Sequence, residues 1–202
     1  GLRVLPVKAD KSPMLPGRWN EGFAADQFGD APGIGIICGQ ISGGLECLDF
    51  DNHFGDAKQR LSEFVKDCGI YSNHKFVVVE TGGGGFHLLY RCEETQGNQK
   101  LARKPMKDGD RWRPDAVIET KGNNGYIVAA PTKGYKVVRG DILDIPQITP
   151  QERNQLLEIA RSFNEWVDIK REQIEEKDRP GDIYNQSPEA ISDAKQALLS
   201  AH

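Results

Sequence analysis

Two aspartates one residue apart, in Leu48-Asp49-Phe50-Asp51, constrain this chain more than any other feature. They close an apolar stretch, Gly35-Ile36-Ile37-Cys38 and then Leu45-Glu46-Cys47-Leu48, that reads as two β-strands joined by the turn Ser42-Gly43-Gly44. Side chains alternate along a strand, so positions i and i+2 share a face with their roots roughly 6–7 Å apart. Two carboxylates that close repel unless something positive lies between them, and a divalent cation is the usual answer. The alternative is a strand end at the surface with two solvated aspartates.

The other segments alternate strand and helix patterns without strict βαβ order. Glu21 to Phe28 is compatible with a short helix ahead of the turn at 29–33. After the aspartates, Ala57, Leu61, Phe64, Val65 and Cys68 recur at helical spacing, with Gly69 as terminator. Lys75 to Glu80 and Phe86 to Arg91 read as strands around the tight connection Gly82 to Gly85. The polar stretch from Glu93 to Pro114 reads as a long excursion. Two more strands, Ala116 to Thr120 and Tyr126 to Ala130, flank the turn Gly122-Asn123-Asn124-Gly125. Thr149-Pro150-Gln151-Glu152 is a helix start with a capping box, and Leu156, Ala160, Phe163 and Val167 give that helix its buried face. Strands grouped around two or three helices imply an α+β domain over 1–170. From about Lys170 the chain is highly charged, and 171–202 reads as a linker and helical appendage toward a missing domain.

Three further features bear on chemistry. Thr81-Gly82-Gly83-Gly84-Gly85-Phe86-His87 combines bare backbone with a histidine, which suits a phosphate or a pyrophosphate leaving group; a plain hairpin with a surface histidine is the alternative. In Ile118-Glu119-Thr120-Lys121-Gly122, Glu119 lies between apolar neighbours and Lys121 shares its face. With Asp49 and Asp51 it would complete a site for two metal ions, whereas Asp115, beside Pro114, reads as solvated. Lys100, Arg103, Lys104, Lys107, Arg111 and Arg113 surround Trp112 and are opposed only by Asp108 and Asp110, a pattern open to a phosphate backbone, to a triphosphate tail or to plain solvation.

The remaining chemistry is bland. Cys38, Cys47, Cys68 and Cys92 form no C-x-x-C pair, so buried thiols in a reducing, intracellular setting are expected rather than zinc. His53, His74, His87 and His202 form no metal-ligand motif. The formal charge of −4 argues against a protein that coats nucleic acid, though not against a local basic groove. No apolar run approaches a membrane span. Gly1 is not a natural start, so a trimmed piece of a longer protein is expected.

Taken together, the glycine-rich strand before Asp49 and Asp51, the Thr81-to-His87 element and the segment Glu119 to Pro131 resemble the primase–polymerase domains of the archaeo-eukaryotic primase superfamily, of phage and plasmid replication type. The resemblance covers roughly Val7 to Val138. It implies an RRM-like catalytic sheet beside a smaller N-terminal αβ unit, and a template-directed nucleotidyltransferase that makes primers and can extend them. It further implies two Mg²⁺ or Mn²⁺ ions on Asp49, Asp51 and Glu119 as the catalytic and metal residues. Thr81, Gly83, Gly84, His87 and Lys121 would bind nucleotide. Lys104, Lys107, Arg111 and Arg113 are the nucleic-acid candidates, with Lys11 or Arg18 as further contacts. The third acid is often Asp in such domains, so Glu119 is a departure. The implied partners are a single-stranded DNA template, NTP or dNTP and a fused or associated helicase. The implied location is the cytoplasm of a bacterial or phage-infected cell. Arg179-Pro180-Gly181-Asp182 resembles the lead toward such a helicase, and no G-x-x-x-x-G-K-[ST] motor motif is present. A non-catalytic module for origin or primer recognition and a metal-dependent nuclease are the rival readings.

Overall fold

The apolar strand patterns become two antiparallel sheets in the computed structural model, which describes residues 1–14, 17, 19–109 and 111–167. In chain order the elements are β1 (Arg3–Val7), β2 (Gly33–Ile37), β3 (Leu45–Phe50), α1 (Ala57–Asp67), β4 (Val77–Glu80) and β5 (Phe86–Arg91). Then follow β6 (Lys100–Asp108), β7 (Arg111–Lys121), β8 (Tyr126–Ala129), β9 (Lys136–Arg139) and α2 (Pro150–Ser162). The large sheet runs β6-β7-β3-β5-β4-β9 and the small one β1-β2-β8. Within β7-β3-β5-β4, the first and third strands of the set sit together at the centre, as the expected RRM-like layer requires. The smaller unit is this three-stranded sheet with short 3-10 turns at Trp19–Glu21 and Ala25–Gln27, and its third strand arrives only after β7.

Alternation along the strands builds one core on each face of the large sheet. Leu48, Phe50, Leu88 and Tyr90 pack on Phe64 of α1 and on Leu156, Leu157 and Ala160 of α2. On the opposite face Leu45, Cys47, Val77, Val79 and Leu89 meet Ile36, Cys38, Ile127 and Ala129 of the small sheet. Leu5, Val7, Ile37 and Val128 form a third cluster with Trp19 and Phe23. All four cysteines are free and buried. The capping box of α2 is present: Thr149 Oγ1 accepts from Glu152 N at 3.2 Å, and Glu152 Oε2 accepts from Thr149 N at 2.8 Å. The helix is further fixed by a fully buried carboxylate, Glu46 of β3, which accepts from Arg153 Nη2 and from the Tyr90 hydroxyl, both at 2.8 Å.

Several local readings change. The segment Glu21 to Phe28 forms no α-helix and only the 3-10 turn at Ala25–Gln27, because Gly22 turns at φ 80° and Phe23 N donates to Val4 O, drawing the chain alongside β1. The turns at 42–44 and 122–125 do not close hairpins within one sheet. Each carries the chain between sheets, β2 to β3 and β7 to β8, and the two crossings touch where Asn123 Oδ1 accepts from Gln40 N at 3.0 Å. The polar stretch from Glu93 to Pro114 is not an irregular excursion, since most of it forms the long hairpin β6–β7, paired from Lys100↔Glu119 to Asp108↔Arg111. Val167 lies beyond the end of α2 and is exposed, not on its buried face. Arg18, Asp110 and the segment 171–202 lie outside the described residues.

Candidate functional site

Antiparallel register, rather than any loop, assembles the acids. Asp49 on β3 is paired with His87 on β5 to one side and with Glu119 on β7 to the other. All three side chains therefore leave the large sheet on the face toward the small one. Asp51 follows the last residue of β3, yet its N–H still donates to Val117 O at 3.1 Å, which keeps it on the Asp49 face. Its carbonyl accepts from Arg60 Nη1 at 3.1 Å, and Arg60, buried on α1, is itself held by Asp56. One oxygen from each of Asp49, Asp51 and Glu119 falls within 4.8 Å of the others.

Clustered carboxylates in a partly dry place resist ionisation. Burial pushes Asp49 up to about 6, with Glu119 adding to the rise and Lys121 opposing it. Burial, then the charges of Asp49 and Glu119, push Asp51 up to about 6 as well. Lys121 supplies the compensating charge: its ammonium hydrogen-bonds Glu119 and lies 4.0 Å from Asp49 Oδ2. Burial would lower its pKa, but the bond to Glu119 and the nearby acids outweigh that and raise it, so it stays protonated. Such a donor set, hard oxygens short of positive charge, fits a hard divalent cation.

His87 is buried, and burial holds it down to about 3, with Lys121 and Lys11 pressing the same way, so the ring is neutral. Its Nε2 stands 3.6 Å from Asp49 Oδ1, too far for a hydrogen bond, and its Nδ1 is buried without a partner among the described residues. A buried nitrogen of this kind ordinarily finds one.

The glycine run has divided duties. Gly84 turns at φ 77°, and a Cβ on Gly85 would stand 2.5 Å from Phe50 O, so these two are needed to seat the turn against β3. Asn52 Nδ2 donates to Gly83 O at 3.2 Å, and Thr81 Oγ1 accepts from Gly85 N at 3.0 Å. Of the expected nucleotide residues, Thr81, His87 and Lys121 line an open cavity of about 320 Å³ with Asp49 and Asp51. Gly83 lines a neighbouring cavity, and Gly84 lines neither.

Lys104, Lys107, Arg111 and Arg113 lie on the β6–β7 hairpin and do not line the acid cavity. Lys104 is spoken for, bridging Asp56 at 2.7 Å and Glu165 at 3.0 Å, and Arg113 pairs with Asp108 at 3.2 Å. Acids other than Asp108 and Asp110 thus oppose this stretch. Trp112 is 62 % exposed. Asp115 is not solvated as expected: it bonds His53 Nδ1 at 2.7 Å, and the other ring nitrogen of His53 lies 4.0 Å from Asp51.

Sequence reasoning missed Trp19, Asn98, Asn124, Tyr126 and Tyr135, which complete the cavity with Lys11. They sit on turns and sheet edges, where no periodicity marks them. A family model described as bifunctional DNA primase/polymerase, N-terminal, matches residues 1–152. No curated protein matches the chain.

Proposed function

The chain belongs to the bifunctional DNA primase/polymerase N-terminal family, and from that membership we propose that it is a template-directed nucleotidyltransferase that makes and extends nucleic-acid primers. The observation that carries this reading is the cluster of Asp49, Asp51 and Glu119, of which Asp49 and Asp51 line a cavity with Lys11, Lys121 and His87. Asp49, Asp51 and Glu119 would hold two divalent ions, Mg²⁺ or Mn²⁺. When bound, these supply Lewis-acid charge for the attacking 3′-hydroxyl and the departing pyrophosphate.

The protein's own groups position the reactants. Lys121, protonated, holds Glu119 in place and adds positive charge beside Asp49. His87, neutral, offers its unpartnered Nδ1 as an uncharged donor or acceptor, which orients a phosphate without competing for the cations. Thr81 lies at the cavity wall beside it. Trp19 and Tyr126, stacked edge to face at 5.3 Å, give an aromatic wall for a base or sugar. Single-stranded DNA is the template in this reading, and Lys107, Arg111, Arg113 and Trp112 on the hairpin are its contacts. The setting is phage or plasmid replication in a bacterial or infected cell, alongside a fused or associated helicase. No helix among the described residues is long and apolar enough to cross a membrane.

The test is incubation with single-stranded template, all NTPs and dNTPs, and Mg²⁺ or Mn²⁺, followed by product sizing. New strands that vanish in Asp49→Ala and Asp51→Ala support the reading. Template cleavage without nucleotides would replace it with a nuclease, and template binding with neither product would leave a recognition module.

A further inference from the structure

His53 and Asp115 form a pair beside the acid cluster that the chemistry described so far does not use. Asp115 lies on β7 four residues before Glu119, so strand alternation puts the two on one face. Its carboxylate, 18 % exposed, takes the hydrogen bond from His53 Nδ1 at 2.7 Å, while the imidazole is 54 % exposed. A carboxylate can only accept, so Nδ1 carries the hydrogen and Nε2 is the nitrogen with an open lone pair. Nε2 makes no hydrogen bond among the described residues, and it lies 4.0 Å from Asp51 Oδ1.

The loop that carries His53 is pinned at several points. Gly55 turns at φ 76° and donates its N–H to Asn52 O at 3.0 Å, closing the turn over 52–55. Asn52 is fixed at both ends of its amide: Oδ1 accepts from Ala57 N and Nδ2 donates to Gly83 O, each at 3.2 Å. Arg60 Nη1 holds the Asp51 carbonyl at 3.1 Å. On the far side of the turn the Lys104 ammonium lies 5.7 Å from the Phe54 ring centroid. With Asp115 clamping the imidazole from β7, neither backbone nor ring has to move for Nε2 to present its lone pair beside Asp51. A carboxylate behind an imidazole is the usual companion of a metal-bound histidine, because it fixes the tautomer and strengthens the outer nitrogen as a donor.

We propose that His53 is a further ligand of the metal site, a neutral nitrogen donor that acts with Asp51 on one of its two ions. The proposal rests on the two-ion reading of the acids and adds to it a choice among cations. One oxygen from each of the three acids lies within 4.8 Å of the others, whereas His53 comes within 4.0 Å of Asp51 alone among them. It would therefore serve an ion at Asp51 rather than one between Asp49 and Glu119. Oxygen donors suit Mg²⁺, and an imidazole nitrogen shifts preference toward a first-row transition metal. The two positions thus differ in the cation they favour. Asp115 is a positioning residue in this arrangement, acting through the imidazole.

The experiment titrates Mn²⁺, a cation visible by EPR, into the full chain near neutral pH without nucleotide, comparing wild type, His53→Ala, Asp115→Ala and His87→Ala. Mg²⁺ is titrated in parallel by calorimetry. The expected result is that His53→Ala and Asp115→Ala each bind the weaker of the two Mn²⁺ ions about tenfold less tightly, while Mg²⁺ affinity stays within about twofold. Pulsed EPR of bound Mn²⁺ should show coupling to a ring nitrogen in wild type and in His87→Ala, and none in His53→Ala. Thermal melting in chelator checks that the exposed His53 is replaced without unfolding, and the wild-type spectrum decides the matter whether or not a variant folds. No Mn²⁺ binding by wild type, bound Mn²⁺ without nitrogen coupling, or coupling that survives His53→Ala or is lost in His87→Ala instead overturns the proposal. New strands made by a wild type whose Mn²⁺ shows no nitrogen coupling leave the nucleotidyltransferase reading standing and remove this ligand. Coupling that depends on His53 in a protein that incorporates no nucleotide does the reverse.

Discussion

At the scale of single residues, the acids are held in a state that cations would relieve. Asp49 and Asp51 carry folded values of about 6 against an ordinary 3.8, so the metal-free fold takes up protons that the unfolded chain does not. Their contribution to stability is therefore fully present below about pH 4 and is lost as the pH rises through 6. Metal-free wild type should lose stability between pH 5 and pH 7, by on the order of 2 kcal/mol from this pair. Asp49→Asn/Asp51→Asn should be flatter over that window and at least as stable at pH 7. Chemical denaturation at the two pH values, with chelator, checks it; equal slopes for both proteins would mean the acids are solvated after all. Adding Mg²⁺ or Mn²⁺ should raise the wild-type melting point at pH 7 and leave the double variant unmoved. A second expectation concerns His87: its replacement by Ala should weaken nucleotide binding about tenfold or more and change DNA affinity little, as read by titrating each ligand separately.

At the scale of elements, α2 is attached to the sheet at two points of different character. One is the buried pair Glu46–Arg153. Arg153→Met leaves a carboxylate stranded in the core and should cost about 3–5 kcal/mol, while adding Glu46→Leu should recover much of that, both measured by urea unfolding. The other is Glu152, which caps the helix and accepts from His74 Nε2 at 2.8 Å when that nitrogen carries the hydrogen. The bond from His74, with those from Thr149, lowers Glu152 to about 2 from 4.5. Its stabilisation is present above pH 4.5 and drains away as the pH falls toward 2, so Glu152→Ala should cost about 1 kcal/mol at neutral pH and nothing at pH 2. The capping box was legible because its residues act on their own backbone. So were the acids, because a period of two fixes the face they share. The sheet crossings were not, since Gly-Asn-Asn-Gly closes a hairpin or leaves the sheet with the same local chemistry, and only the distant strand decides. Arg60 and Arg153 did leave a trace: each falls on the apolar stripe of its helix, in step with Phe64 and with Leu156 and Ala160. A cation in that stripe calls for a buried acceptor.

At the scale of the whole molecule, the β6–β7 hairpin carries a charge pattern only half free to act. Lys104 ties the arm to Asp56 and Glu165, so its replacement should lower stability more than nucleic-acid affinity. Lys107 and Arg111, with exposed Trp112, form no ion pair among the described residues. K107A/R111A should reduce the slope of log affinity against log salt on single-stranded DNA by about 0.7 for each phosphate left unneutralised. Trp112→Ala should cost about 1–3 kcal/mol with the slope unchanged. Filter binding across a salt series separates the two, and no change in either would clear the arm of this role. The hairpin was hidden in sequence because its outer half, from Lys104 to Arg113, is mostly polar and is held by pairing, burial being confined to its inner end at Leu101, Ala102, Val117 and Ile118. The order in which the strands are made has one more consequence. β8, the third strand of the small sheet, follows β7, which brings the last of the acids, so neither sheet is whole until translation has passed both. An emerging chain can hold the two aspartates for the whole interval that β4 to β7 take to leave the ribosome without closing a chamber around them. On the proposed function, the cavity around the acids closes only once β8 has been made, and a chain truncated before β8 should be silent rather than partially active.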